Sequence, residues 1–149
     1  MIQSPNAARV VVRRKIKASP EQIFDAWLDP DSLGEWMRPR AILRTTVTVD
    51  AREQGRFEIV MHHPDGPLVH TGTYQHIDRP RRLVFTWISP ATEQRESLVT
   101  VDIIAGVGST EVVVTHEQLP NENAAPSHVE GWSDALGLLA ERFSASGPS

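Results

Sequence analysis

The sequence predicts an α+β domain: an antiparallel sheet of about seven strands, two short helices after the first strand, and one long C-terminal helix. Three observations carry this reading. Two cap-and-proline signatures, Ser19-Pro20 and Asp29-Pro30, follow directly on a first alternating segment. Further stretches of β character are then joined by short polar connections. Finally, Val129, Trp132, Leu136, Leu139 and Phe143 recur at the spacing of one helix face.

Arg9 to Lys17 is the first strand. Val10, Val12 and Ile16 alternate with Arg13, Lys15 and Lys17, which gives one apolar and one basic face, and Arg14 falls on the apolar side. Read plainly, the basic run is a solvated strand face; the sharper alternative is a contact for an acidic partner protein. Ser19 caps the first helix, Pro20 takes its first position, and Gln22 completes a capping box. Ile23, Phe24 and Trp27 form its apolar side. Asp29-Pro30-Asp31-Ser32 opens a second short helix that ends near Trp36.

Ala41 to Asp50 contains the β-branched run Thr45-Thr46-Val47-Thr48-Val49. Gly55 to His62 alternates Phe57, Ile59 and Met61 against Arg56, Glu58 and His62. His63-Pro64-Asp65-Gly66-Pro67 is a turn by composition, and Leu68 to Ile77 is the next strand. Asp78-Arg79-Pro80-Arg81 leads into Arg82 to Ile88, and Ser89 to Gln94 reads as a polar loop. Leu98 to Ile104 and Thr110 to His116 form a hairpin across Gly106-Val107-Gly108-Ser109. Connections this short pair neighbours antiparallel. The last helix spans Ser127 to Phe143 if Ser127-His128-Val129-Glu130 is its capping box, or begins earlier from Asn121 or Asn123 with Pro126 in its first turn. Gly131 and Gly137 lie inside it, each costing about 1 kcal/mol relative to alanine. They either permit close approach to the sheet or leave room for something else.

A chain of 149 residues is expected to form one domain, here over residues 9–143, with residues 1–8 and 144–149 as flexible tails. No apolar run is long enough to span a membrane, and the N-terminus lacks a signal-peptide pattern. Zero cysteines exclude disulfides, thiol catalysis and thiolate metal sites, and fit a cytoplasmic location. A formal charge of -4 argues against nucleic acid as a partner.

The order of elements resembles that of the START/Bet v 1-like superfamily, often called SRPBCC. The residues are similar to one branch of it, the family of the C-terminal domain of the activator of heat-shock-protein ATPase. The matching pieces are Ser19-Pro20-Glu21-x-Ile23-Phe24-x-Ala26-Trp27, Asp29-Pro30-x-x-Leu33-x-x-Trp36, Gly55-x-Phe57, Pro64-Asp65-Gly66, Gly72-x-Tyr74, Arg82-Leu83-Val84-Phe85-Thr86-Trp87, Thr115-His116 and His128-x-x-Gly131-Trp132. Together they extend from about Val10 to Phe143. The resemblance implies a helix-grip fold, with the sheet curved around the long helix and a cavity between them. Superfamily members bind lipids, hormones and polyketides, and some catalyse cyclisation or dehydration in the cavity. The resemblance also implies a link to the stress response, a chaperone partner and a homodimer as possible associations. The separate N-terminal domain with which the full chaperone activator makes its main docking contact has no counterpart in this sequence.

Phe57, Met61, Tyr74, Phe85, Trp87 and Trp132 are expected to point into one space, either as packed core or as the wall of an apolar pocket with the Tyr74 hydroxyl and Trp87 N–H as polar handles. With Trp36 and His128 they make up the expected ligand-binding set. Trp36 is also read as a surface residue available for self-association. Among the six histidines, His62 and His63 are expected to be solvent-exposed. His70 and His76 share the parity of Tyr74 and face either the cavity or water. His116 faces inward, and His116 and His128 are expected to meet across the cavity mouth. No HExxH pair supports a metal, and no cofactor fingerprint is present. The absence of a G-x-S-x-G elbow, a Walker loop and a dinucleotide motif sets aside conventional hydrolases and dehydrogenases. Three functions remain open: binding of a small apolar or amphipathic molecule, a co-chaperone-like protein-interaction module, and a cavity enzyme of cyclase or hydratase type using His128 or His116.

Overall fold

The computed structural model describes residues 8–145. Seven strands, β1 (Ala8–Ile16), β2 (Arg44–Val49), β3 (Arg56–His63), β4 (Gly66–Asp78), β5 (Arg82–Trp87), β6 (Ser97–Ala105) and β7 (Thr110–Leu119), form one curved antiparallel sheet in the order β1-β7-β6-β5-β4-β3-β2. The first strand therefore closes against the last at one edge, with Ala8 opposite Leu119 and Ile16 opposite Thr110. Helices α1 (Pro20–Leu28) and α2 (Pro30–Trp36) follow β1, and α3 (Ala125–Ala145) lies across the inner face of the sheet.

Local chemistry explains the helix starts. Ser19 Oγ accepts from the Gln22 N–H at 3.1 Å and the Gln22 side chain accepts from the Ser19 N–H at 2.9 Å, which forms the expected capping box. Asp29 both ends α1 and caps α2, its carboxylate accepting from the Ser32 N–H at 3.3 Å. For α3 the earlier of the two expected starts is the observed one. Asn121 caps a single 3₁₀ turn, Glu122–Ala124, that runs directly into α3, and the Ser127 hydroxyl donates back to the Ala124 carbonyl instead of capping. The buried stripe of α3 accordingly runs through His128, Trp132, Ala135, Leu136 and Leu139, while Val129, expected on that face, is 40% exposed.

Packing corrects three further readings and decides two that the sequence leaves open, those of Arg14 and His76. Trp36, read as a surface residue, is 0% exposed and donates its indole N–H to the Ala26 carbonyl, so it presents nothing to a second copy. Arg14 has the parity of the apolar face yet is exposed, its guanidinium reaching out beside Gly137 on α3. His76 shares the parity of Tyr74 in sequence, but β4 bulges between them and turns His76 out beside Glu53. The segment read as a polar loop after β5 contains a 3₁₀ turn, Pro90–Thr92, capped by Ser89, with both Ser89 and Thr92 buried. Ala8, Ser144 and Ala145, assigned to tails, belong to β1 and α3; the rest of residues 1–8 and 144–149 lies outside the described residues.

The charged turn before β5 is bound up in ion pairs: Arg79 with Asp25, Arg81 with Asp78, and Arg82 with Asp102. Gly72 is required where it stands, because a Cβ there would sit 2.0 Å from the Thr86 carbonyl oxygen and 2.5 Å from the Phe57 ring. Its lack of a side chain lets β4 run beneath Phe57.

Candidate functional site

Strands β3, β4 and β5 project Phe57, Tyr74, Phe85 and Trp87 toward Trp27 of α1 and Trp132 of α3. At the inner end these rings fill the space. Phe57 lies 5.3 Å from Tyr74 and 5.4 Å from Phe85, ring centre to ring centre, Trp27 meets Trp36 edge-on at 4.7 Å, and the gap left among them is about 10 Å³. Burial raises the Tyr74 phenol well above its ordinary value and keeps it un-ionised.

The outer end is open. A cavity of about 320 Å³ lies between the first turns of α3, the loop after α2, and the start of the loop after β5. Met37, Ile42, Met61, Leu68, Trp87 and Trp132 give it apolar walls. Ser89 and Ala91 line one side and Gly131 another, and a Cβ built on Gly131 would meet nothing within 4 Å. The open alternative for this glycine thus resolves toward room. Arg40 stands at the mouth, held by Asp134 through its Nε at 2.8 Å and its backbone N–H at 3.1 Å. His63, expected to be exposed, is half-buried there.

Of the expected ligand-binding residues, Met61, Trp87, His128 and Trp132 line this cavity, whereas Phe57, Tyr74 and Phe85 belong to the packed layer and Trp36 lies behind Trp27. Sequence reasoning passed over Met37, Pro39, Arg40, Ile42, Ser89 and Ala91. A loop lining such as Met37 to Ile42 has no periodicity to betray it. The 3₁₀ turn was legible, because Ser89-Pro90 repeats the cap-and-proline signature of Ser19-Pro20.

Three buried histidines gather here with different hydrogen bonding. The His116 and His128 rings meet edge to face at 4.8 Å, in the buried interior and not across the cavity mouth as expected, since His116 is fully buried and does not line the cavity. An indole N–H only donates, so Trp132 Nε1 at 3.1 Å marks His116 Nδ1 as the acceptor. The His116 proton is then on Nε2 and donates to Ser97 Oγ at 2.7 Å, and Ser97 donates onward to the Trp87 carbonyl at 2.6 Å. Both His116 nitrogens are committed. Burial, reinforced by neighbouring His128, lowers its pKa to about 3. His116 is a structural linchpin joining β5, β6, β7 and α3, and its geometry does not suit a general base.

His128 is arranged the other way round. A carbonyl only accepts, so Ala124 O at 2.7 Å places the His128 proton on Nδ1. Its Nε2 is then a bare acceptor, buried and without a hydrogen-bond partner among the described residues. Burial lowers the His128 pKa, partly opposed by the bond to Ala124. His70 follows the same pattern. Its Nδ1 lies 3.3 Å from the Ile59 carbonyl and 3.1 Å from that of Leu68, which leaves Nε2 as the acceptor. The ring lies 5.0 Å from that of Trp87, and burial takes its pKa to about 4. Among the described residues no three metal-ligating side chains converge.

With this geometry established, comparison with known proteins places the chain. The family model described as Activator of Hsp90 ATPase homolog 1-like protein matches residues 17–144. The chain belongs to this family. The matched segment of the Activator of Hsp90 ATPase homolog 1-like family begins just after β1, extends to the last turn of α3 and includes every residue of the cavity wall. Solved structures agree on the fold. A protein from Rhodobacter sphaeroides is similar at 24% identity and TM-score 0.80, over 94% of this chain and 95% of its own. A protein of unknown function from Staphylococcus aureus matches at 18% identity and TM-score 0.80, over 95% and 96%. A protein from Mesorhizobium loti matches at 20% and 0.78, over 95% and 100%. No curated protein matches. No helix among the described residues is long and apolar enough to cross a membrane.

Proposed function

We propose that this chain binds a small, predominantly apolar molecule, held in the outer cavity of the grip by Met61, Trp87, His128 and Trp132. The observation that carries the reading is the void itself. A folded interior is close-packed, and voids larger than a water molecule are few. About 320 Å³ bounded by methionine, leucine, isoleucine and tryptophan in a chain of this size is the character of a ligand site. Its position on this fold, between sheet and long helix, supports the same conclusion.

The direct test is native mass spectrometry of the purified protein beside a denatured spectrum of the same sample. A reproducible extra mass that disappears on denaturation is the expected result, and Gly131→Leu, which fills the cavity from α3, abolishes it. A clean apo mass, with no gain on adding apolar small molecules, would remove the proposal and leave the interaction module as the better reading. The cavity-enzyme reading gains little support: both His116 nitrogens are bonded, and the unpartnered His128 Nε2 is buried away from the accessible space.

A further inference from the structure

The loop after α2 builds one wall of the cavity, and its tip is held by one side chain. Its stems are fixed. The Met37 N–H donates to the Leu33 carbonyl at 2.9 Å, and the Met37 carbonyl accepts from the Thr45 hydroxyl at 2.8 Å. At the other stem the Leu43 N–H donates to the His62 carbonyl at 2.8 Å. Between them residues 39–42 form a turn, closed by the Ile42 N–H on the Pro39 carbonyl at 3.1 Å. Ala41, third in this turn, has φ 64°, the left-handed conformation that favours glycine or asparagine. Such a backbone persists only where its surroundings over-determine it. Here that support comes from Asp134 of α3. One of its carboxylate oxygens accepts from the Arg40 backbone N–H at 3.1 Å and from Arg40 Nε at 2.8 Å. Among the described residues this is the only hydrogen-bonded link from the turn to another element.

Met37, Pro39, Arg40 and Ile42 line the cavity, whereas Asp134 does not. The link therefore ties two walls of the mouth together from outside it. Resting on the ligand-binding reading above, we propose that residues 39–41 are the gate of this cavity and that Asp134 is its latch. Asp134 is thus a positioning residue, acting through Arg40 and holding the gate shut both before and after a ligand enters. Arg40 and Ala41 are exposed, so the tip can swing out while the buried Met37 and Ile42 stay in place as stems. Opening breaks the two bonds to Asp134 and releases Ala41 from its left-handed conformation. That release offsets part of the loss and keeps the open state within reach. The Arg40–Asp134 pair lies at the surface, so salt weakens the latch.

The test follows N-phenyl-1-naphthylamine, an uncharged apolar fluorophore, as it binds the full chain in stopped flow. An uncharged probe keeps the Arg40 charge out of the binding energy. Asp134→Ala is expected to raise the association and dissociation rate constants together, by about tenfold each, with Kd changed by less than about twofold. A merely structural role would not move both rates and spare Kd. Arg40→Gln keeps the backbone N–H on Asp134 and loses the ion pair, so both rates rise by about threefold. Added salt speeds exchange in the unaltered protein and not in Asp134→Ala. Should Asp134→Ala fail to fold, Arg40→Gln and the salt series carry the same test. Unchanged rates in the variants overturn the gate and leave the ligand-binding reading standing. Faster dissociation alone, with weaker Kd, also overturns the gate and makes Asp134 a brace for the wall. Failure of the probe to bind the unaltered protein overturns this inference and the ligand-binding reading together.

Discussion

The two ends of the space beneath α3 are built from the same strands and differ in what completes them. At the inner end the surroundings of Phe57, Tyr74 and Phe85 are supplied by Trp27 and Leu33, and almost no volume remains. At the outer end Met61 and Leu68 of β3 and β4 face Gly131, Ala91 and Ser89, and about 320 Å³ stays open. The backbone spacing between sheet and helix does not create the cavity by itself. Aromatic residues on α1 and small residues on α3 and after β5 decide which end is core and which is site. The histidines differ in the same way: His116, fully bonded, braces the wall, while the Nε2 acceptor of His128 is left without a donor among the described residues.

The sharpest way to break the comparison is to open the packed end. Phe85→Ala is expected to cost about 3–5 kcal/mol in denaturant unfolding, because its neighbours are rings that cannot collapse inward. A loss below about 1 kcal/mol would mean the inner end is as loosely filled as the outer one. Acidification acts next. His70 and His116 titrate near 6.5 when unfolded but at about 4 and about 3 when folded, so the unfolded chain binds more protons between those values. Stability is therefore full above the unfolded value and is lost as pH falls toward the folded ones, by on the order of 3 kcal/mol from His70 alone. Unfolding at about pH 7.5 and about pH 4.5 measures this, and His70→Phe should flatten part of the slope.

Smaller effects sharpen the distinction between the two ends. Ser97→Ala strands the His116 Nε2 proton and is expected to cost about 1–3 kcal/mol while leaving any cavity ligand bound. If calorimetry instead shows ligand lost with little change in stability, His116 belongs to the site and not to its support. Gly131→Ala enters open space on a helix and should raise stability by up to about 1 kcal/mol. A destabilising result would show that the backbone at Gly131 has a neighbour at hand.

The sequence made the sheet, the order of elements and the starts of α1 and α2 readable, because alternation and cap-proline chemistry act within a few residues. Readings stayed open, or in the case of Trp36 failed, where a distant partner decides. Ser127 has every mark of a cap, yet Asn121 starts the helical turn first and Ser127 is already inside it. His76 and Tyr74 share parity in sequence, and a bulge separates them. Trp36 lacks an obvious partner until Ala26 and Trp27 fold over it. For the site, local pattern identified the aromatic strands and the meeting of His116 with His128. Which aromatics would be packed and which left facing space depended on the loop from Met37 to Ile42, where no periodic signal exists.

The pairing of β1 with β7 has a consequence for synthesis. The strand made first must wait for the one that closes the sheet, since Ala8 finds Leu119 and Ile16 finds Thr110. Contacts so distant in sequence slow folding, because loop entropy is lost before they form. On the ribosome, β2 to β6 can pair in order as they emerge, while β1 remains an unpaired edge until β7 is released. Its exposed Arg9, Arg13, Arg14 and Lys15 put several like charges along that edge, a pattern that discourages edge-to-edge pairing of strands.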